Sequence, residues 1–245
     1  MNRGAWALLF WPAVATALAF AFLVSLGVWQ VRRLGEKEAL IARVESRAHV
    51  APGDLPPRAD WGARAPVDYD FTHVRARGHY LPGRDALIFS KPPEGFGPEP
   101  GYIVVTPFAL ETGGVILIER GFVPASKADD AAGRTPSSEE VDVSGLLRAP
   151  QSRNVFTPAD EPGRFIWFTR DPATIAVALG LAGAAPFTLA LEAPPSAGAN
   201  GYPRLVATTP EIVNNHLSYA FTWFSLAGAL LVIFGLYARG RLRQT

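Results

Sequence analysis

His216 is the residue of this chain whose place most directly invites chemistry. It stands where a long apolar run begins, and an ionisable side chain at the mouth of a membrane span is a functional candidate by default. On a helix turning 100° per residue, Trp223 lies seven positions on and within about 20° of the same face. Tyr219 and Ala220 fall between them, and Phe224 adds aromatic surface to that side. The stripe could seat a flat, hydrophobic, metal-bearing ligand, with the His216 imidazole as an iron ligand. The same residues also fit an ordinary interfacial aromatic belt, with His216 as a polar residue at headgroup level. Spacing alone does not choose between these two readings.

Elsewhere the sequence offers little chemistry. Cysteine is absent, which removes disulfides, thiolate zinc sites and thiol catalysis. No G-x-S-x-G elbow, Walker loop, HExxH or strand-linked G-x-G-x-x-G occurs. His73 and His79 share a face of an expected strand, but six residues at roughly 3.3 Å each separate them by about 20 Å, too far to share a metal. With Arg75 and Arg77 between them they fit a solvated face. The acidic pairs Asp129/Asp130 and Glu139/Glu140 lie in a Gly, Ser and Pro-rich loop, where hydration accounts for them.

These residues are carried by two long apolar stretches and the segment between them. Ala5 to Val31 and Leu217 to Ala238 contain no charge, and each exceeds the roughly 20 residues a bilayer core requires. The first is longer than the 7 to 15 apolar residues of a cleaved signal, so it is expected to remain as an anchor. Ala13, Ala17, Ala21 and Ser25 recur every fourth residue and offer a small face for close packing, with Gly228 and Gly235 on the second span as the expected partner. Such a hairpin would leave the aromatic stripe free. Residues 32–216 then lie on one side of the bilayer. All 22 acidic residues fall there, whereas Arg3, Arg239, Arg241 and Arg243 fall outside, so the segment is mildly negative and no nucleic-acid partner is expected. The basic tail Arg239 to Thr245 favours cytoplasmic termini and a periplasmic domain in a bacterial inner membrane. Arg32, Arg33, Lys37 and Arg43 argue the other way, but long domains translocate regardless of charge.

Within the central segment, Arg32 to Arg47 carries Leu34, Leu40, Ile41 and Val44 at helical spacing and continues the first helix into water. No regular element is expected across the Pro and Gly cluster of Ala51 to Pro66. Short Val, Ile, Phe, Tyr and Thr-rich runs predict strands near 71–80, 86–90, 102–108, 115–119, 141–147, 165–168 and 187–192. One helix interrupts them, with Asp171 as N-cap and Pro172 at its first position. Pro124 to Glu140 and Pro194 to Tyr202 read as loops. The fold class is therefore a membrane protein with two transmembrane α-helices, an N- and C-terminal hairpin, flanking a mainly β (α+β) extracytoplasmic domain.

Several blocks carry a family resemblance along nearly the whole chain. Leu26-Gly27-Val28-Trp29-Gln30-Val31-Arg32-Arg33-Leu34 is similar to an L-G-x-W-Q-x-x-R-L exit from the first span. Gly101-Tyr102-Ile103-Val104-Val105-Thr106-Pro107 and Ile118-Glu119-Arg120-Gly121-Phe122-Val123-Pro124 resemble G-Y-x-V-x-T-P and N-R-G-W-V-P, with Glu119 and Phe122 in place of Asn and Trp. Gly145-Leu146-Leu147-Arg148 and Trp167-Phe168-Thr169-Arg170-Asp171 resemble further blocks. Asn214-Asn215-His216-Leu217-Ser218-Tyr219-Ala220-Phe221-Thr222-Trp223-Phe224 matches N-N-H-L-x-Y-A-x-T-W-F. The chain thus resembles the surfeit-locus family of cytochrome c oxidase assembly factors. The resemblance implies a non-enzymatic chaperone of respiratory-chain biogenesis that receives haem a from its synthesis machinery and passes it to oxidase subunit I. It places the haem-associated histidine and tryptophan at His216 and Trp223, beside Tyr219. A scaffold that grips an oxidase subunit without touching the cofactor is the alternative it leaves open.

Overall fold

The computed structural model describes residues 3–195, 197–209 and 214–243, with the side chains of residues 3–8 and 43 outside that description. Ser196 of the expected loop, and Gln244 and Thr245 of the basic tail, therefore lie outside it. The chain divides into two compact units, one of Met1–Arg43 with Glu211–Thr245 and one of Val44–Pro210.

The first unit consists of two helices, α1 (Arg3–Ala48), whose last turns belong to the second unit, and α3 (His216–Arg243). Both are long and apolar enough to cross a bilayer. A core helix of a soluble protein would be mostly covered, whereas only 6% of the most apolar window of α1 and 11% of that of α3 is buried. The covered positions are few and regular. On α1 they include Leu9, Ala13, Thr16, Phe20, Leu23, Gly27 and Gln30, and on α3 His216, Ala220, Trp223, Ala227, Leu230 and Phe234. Steps of three and four define one seam on each helix, the spacing that ridge-into-groove packing requires.

This seam corrects the expected one. Ala17, Ala21 and Ser25 are exposed, as are Gly228 and Gly235. A four-residue repeat drifts by 40° per step around a helix, so it cannot stay on one face, whereas alternating steps of three and four can. The buried small residues of the seam are Ala220 and Ala227 on α3 and Gly27 on α1. A side chain at Gly27 would meet the Phe224 ring at 2.6 Å.

The second unit is built on a ring of strands. The short β1 (Gly53–Asp54) lies parallel to β2 (His73–Tyr80). Beyond β2 come β3 (Ala86–Ser90), β4 (Gly101–Leu110), β5 (Val115–Pro124), β6 (Glu140–Arg148), the short β7 (Ile166–Trp167) and β8 (Ala184–Ala193). β2 pairs with β6, β6 with β8, β8 with β5, β5 with β4, and the last residues of β4 return to β2, which closes a five-stranded barrel. Only the β5–β8 seam of the ring is parallel. β3 and β7 extend outward from the first half of β4.

Period-two alternation explains the interior. β2 alternates buried and exposed residues, sending Val74, Ala76 and Tyr80 inward to Phe108, Ile116, Ile118, Val143, Leu147, Phe187 and Leu189. β5 is buried on both faces because a second apolar layer covers its outside: Leu117 packs with Val105, Trp167 and Ile175. Ile175 comes from the expected helix, α2 (Pro172–Ala178), whose N-cap Asp171 accepts from the N–H groups of Ala173 and Thr174.

The span Ala51 to Pro66 departs from expectation. Besides β1 it holds a 3-10 turn at Arg58–Asp60, and a second turn starts at Pro66 and runs to Tyr69. Trp61 and Tyr69 between and within these turns are buried against Phe187. Short-range sequence gave no sign of this order because it comes from aromatic side chains closing one part of the barrel core.

Candidate functional site

His216 is the first residue of α3, and its N–H donates to Asn214 Oδ1 at 3.4 Å. The imidazole is half-buried, and its Nδ1 lies 2.6 Å from Gln30 Oε1 on α1. Trp223, two turns along the same face, is also half-buried. Tyr219 and Phe224 sit on opposite flanks of this seam, about 60° and 80° from His216 around the helix. Both are exposed, Tyr219 at 56%. The structure therefore keeps His216 and Trp223 on one face of α3, about 10 Å apart along its axis, and sets Tyr219 at the margin. It also corrects the expectation that the stripe stands clear of the helix pair, since His216 and Trp223 form part of the packed seam.

Gln30 is the site residue that sequence reading passed over, since it stood there only as part of the exit motif of the first span. It is 8% exposed on a charge-free stretch of helix, and a buried carboxamide there needs a hydrogen-bonding partner. The signal was present. Gln30 is the buried polar member of the seam that runs through Phe20, Leu23 and Gly27.

This donor set suits a haem. A neutral imidazole has one N–H and one lone pair, and an Nδ1–H facing Gln30 Oε1 would donate to it. Nε2 then offers its lone pair to a metal, and Trp223 supplies a flat apolar surface nearby. Among the described residues no cluster of three or more His, Asp or Glu side chains is placed to hold a bare metal ion.

A second polar site lies in the barrel unit, where blocks far apart in sequence converge. Glu119 from β5, Arg148 from the end of β6 and Arg170 just before α2 line a cavity of about 210 Å³, with Ser90, Ile103 and Gly121. Arg170 Nε donates to Glu119 Oε1, and Thr188 Oγ1 donates to the same oxygen at 2.5 Å. Burial pushes the Glu119 carboxyl up, but Arg170, the Thr188 hydroxyl and Arg148 together outweigh it and hold the group below its ordinary range. Arg148 lies over the Phe71 ring at 4.7 Å and its Nε is 3.5 Å from Asp70 Oδ1. Burial, with Arg170 adding to it, pulls the Arg148 guanidinium below its ordinary value.

Local backbone explains why Glu119 and Arg120 can both be buried. Val104 pairs with Gly121 and Val105 with Glu119, so Arg120 is the extra residue of a β-bulge. Gly121 has φ +131° and its α-carbon faces the Arg204 carbonyl so closely that a Cβ would lie 2.1 Å from it. Only glycine fits there. Arg120 turns to the other side, where it donates to the Arg134 carbonyl at 2.9 Å and lies over Tyr80.

Of the remaining candidates from the sequence, His73, Asp130 and Glu140 have structural roles. His73 Nδ1 is 2.7 Å from the Val50 carbonyl and its Nε2 is 3.0 Å from Glu192, so it is tied down rather than merely solvated. His79 is exposed. Asp130 accepts from the Gly133 N–H and from Asn200, contacts that lower its pKa and brace the loop. Glu140 pairs with Arg77 at 3.3 Å.

Comparison with known proteins places the chain in a wider group. Residues 17–228 match the SURF1 family over most of the chain. The chain belongs to the SURF1 family. A SURF1-like protein of Monosiga brevicollis is 32% identical over 245 residues, covering 93% of this chain and 85% of that protein. Surfeit locus protein 1 of Rattus norvegicus is 31% identical over 91% of this chain and 72% of its own length. A bacterial relative, the SURF1-like protein of Rickettsia bellii, is 27% identical over 91% and 88% respectively. The stretch matched to the SURF1 family includes Gln30, Glu119, Arg148, Arg170, His216 and Trp223.

Proposed function

We propose that this protein is a non-enzymatic assembly factor for haem-copper (cytochrome c) oxidase that binds haem a and assists its delivery to subunit I. The observation that carries this reading is the half-buried His216 at the start of an apolar helix, with Nδ1 engaged by Gln30 and Trp223 on the same face. In this reading α1 and α3 cross the bacterial inner membrane, the barrel lies in the periplasm and both termini in the cytoplasm. Bound haem a supplies the redox iron that the oxidase needs. The chain holds it: His216 Nε2 is the iron ligand, Trp223 a wall against the macrocycle, and the exposed Tyr219 a polar-tipped edge at the rim. One imidazole beside an aromatic surface binds less tightly than two axial histidines, which suits a protein that must release its cargo to subunit I after receiving it from the haem a synthesis machinery.

Full-length protein purified from cells that make haem a should carry a haem a spectrum. His216→Ala should abolish it, and Trp223→Phe should reduce it. Unchanged haem a in His216→Ala would reject the site.

A scaffold role also draws on a specific observation. Val155 and Phe156 are 92% and 90% exposed at the tip of a loop, yet the loop is stitched by Asn154, Thr157 and the Arg153–Asp160 pair. An apolar tip held in a fixed shape suits contact with a partner protein. Crosslinking from Phe156 to subunit I that persists without haem a synthesis, on protein that never carries haem, would favour this reading over cofactor delivery.

A further inference from the structure

We propose that Gln30 is a positioning residue for the His216 imidazole, fixing its tautomer so that Nε2 presents a lone pair for iron. The inference rests on the haem a reading above, but its central claim concerns the haem-free protein. The two residues are 186 positions apart in the chain and lie 2.6 Å apart across the helix pair. Both occupy the packed seam, so neither swings freely.

The chemistry follows from the carboxamide. Its oxygen can only accept, so an imidazole facing it must carry its proton on Nδ1. Histidines that bind metals regularly donate their other N–H to an oxygen acceptor, which orients the ring and raises the basicity of the ligating nitrogen. Gln30 supplies that acceptor without a charge. A carboxylate would pull harder on the proton and strengthen the iron bond. A neutral amide orients the ring and leaves the bond weak enough to break on transfer.

The helix packing explains how the pair can form. Gly27 lies one turn before Gln30, and the absence of a side chain lets the Phe224 ring rest against α1. That close approach brings a short carboxamide within reach of the first residue of α3. The reverse arrangement, with the amide NH2 donating to Nδ1, would leave the proton on Nε2 and block iron ligation. The two arrangements are distinguishable.

The test uses full-length, haem-free protein in detergent micelles with 15N-labelled histidine. The His216 signals are the ones missing from His216→Ala. Wild type should show a protonated Nδ1 and an unprotonated Nε2. Gln30→Leu should lose this preference, and Gln30→Glu, which keeps the acceptor, should retain it. Haem a affinity should fall about 10–100-fold in Gln30→Leu and return to the wild-type level or above it in Gln30→Glu. A residue that only packs would not produce this rescue or move the tautomer. An Nε2–H imidazole in wild type overturns the proposal, even if Gln30→Leu does not fold. So does an unchanged tautomer in a folded Gln30→Leu. Failure of the haem reading is separate, since it appears as haem a retained by His216→Ala whatever the tautomer.

Discussion

Replacing Glu119 by Gln removes the negative charge from the barrel cavity while keeping the side-chain volume, so no void complicates the result. Glu119 is 8% exposed and accepts from both Arg170 and Thr188. Removing one partner of a buried ion pair costs about 3–5 kcal/mol, because the remaining charge is left without compensation. The Arg170 side chain keeps 20% of its exposure, so water recovers part of that cost. The expected loss is therefore at the low end, about 3 kcal/mol at neutral pH. For a domain of this size each kcal/mol lowers the melting temperature by about 2–4 °C, which gives a drop of about 6–12 °C. Near-ultraviolet circular dichroism of the detergent-solubilised full chain would follow it. The Glu119 pKa is lowered on folding. Its contribution is thus complete above the unfolded glutamate value of about 4.3 and is lost as pH falls through the lower folded value. The gap between wild type and Glu119→Gln should be full at pH 7 and shrink on acidification below about pH 4. Equal melting temperatures at pH 7, or a gap that does not change with acid, would refute the argument.

Two further outcomes follow from the fold. Asp171→Ala removes the oxygen that accepts from the Ala173 and Thr174 N–H groups. It should cost about 1 kcal/mol and speed amide exchange in α2, and unchanged exchange would show that the cap contributes nothing. The chain has no cysteine, so single cysteines report topology cleanly. Val155→Cys should react with a membrane-impermeant maleimide from the periplasmic side, and Arg241→Cys only after lysis. The opposite pattern would invert the proposed orientation.

Much of the architecture was legible in the sequence because it depends on local pattern. A charge-free run reports its own apolarity wherever it folds. Alternation in His73–Tyr80 marks a half-buried strand from side-chain direction alone. Asp171-Pro172 specifies a helix start through two adjacent residues. The motif at His216 and Trp223 was visible for the same reason, since both lie on one helix.

The seam between the helices was misread because small residues every four positions look like a packing face, yet the true seam is defined by what stands opposite. Gly27 matters only because Phe224 arrives against it. Nor could local pattern show the pairing of β2 with the end of β4, which closes the ring and sets the barrel interior. Glu119, Arg148 and Arg170 were each seen in separate blocks, and only closure of the barrel brings them to one cavity. The same holds for Gln30 and His216. The sequence by itself determined which segments are apolar, which alternate and that an imidazole stands at the head of the second apolar helix. Tertiary structure alone decided which acceptor faces that imidazole, because the contact joins the two ends of the chain and leaves no trace in the spacing of either.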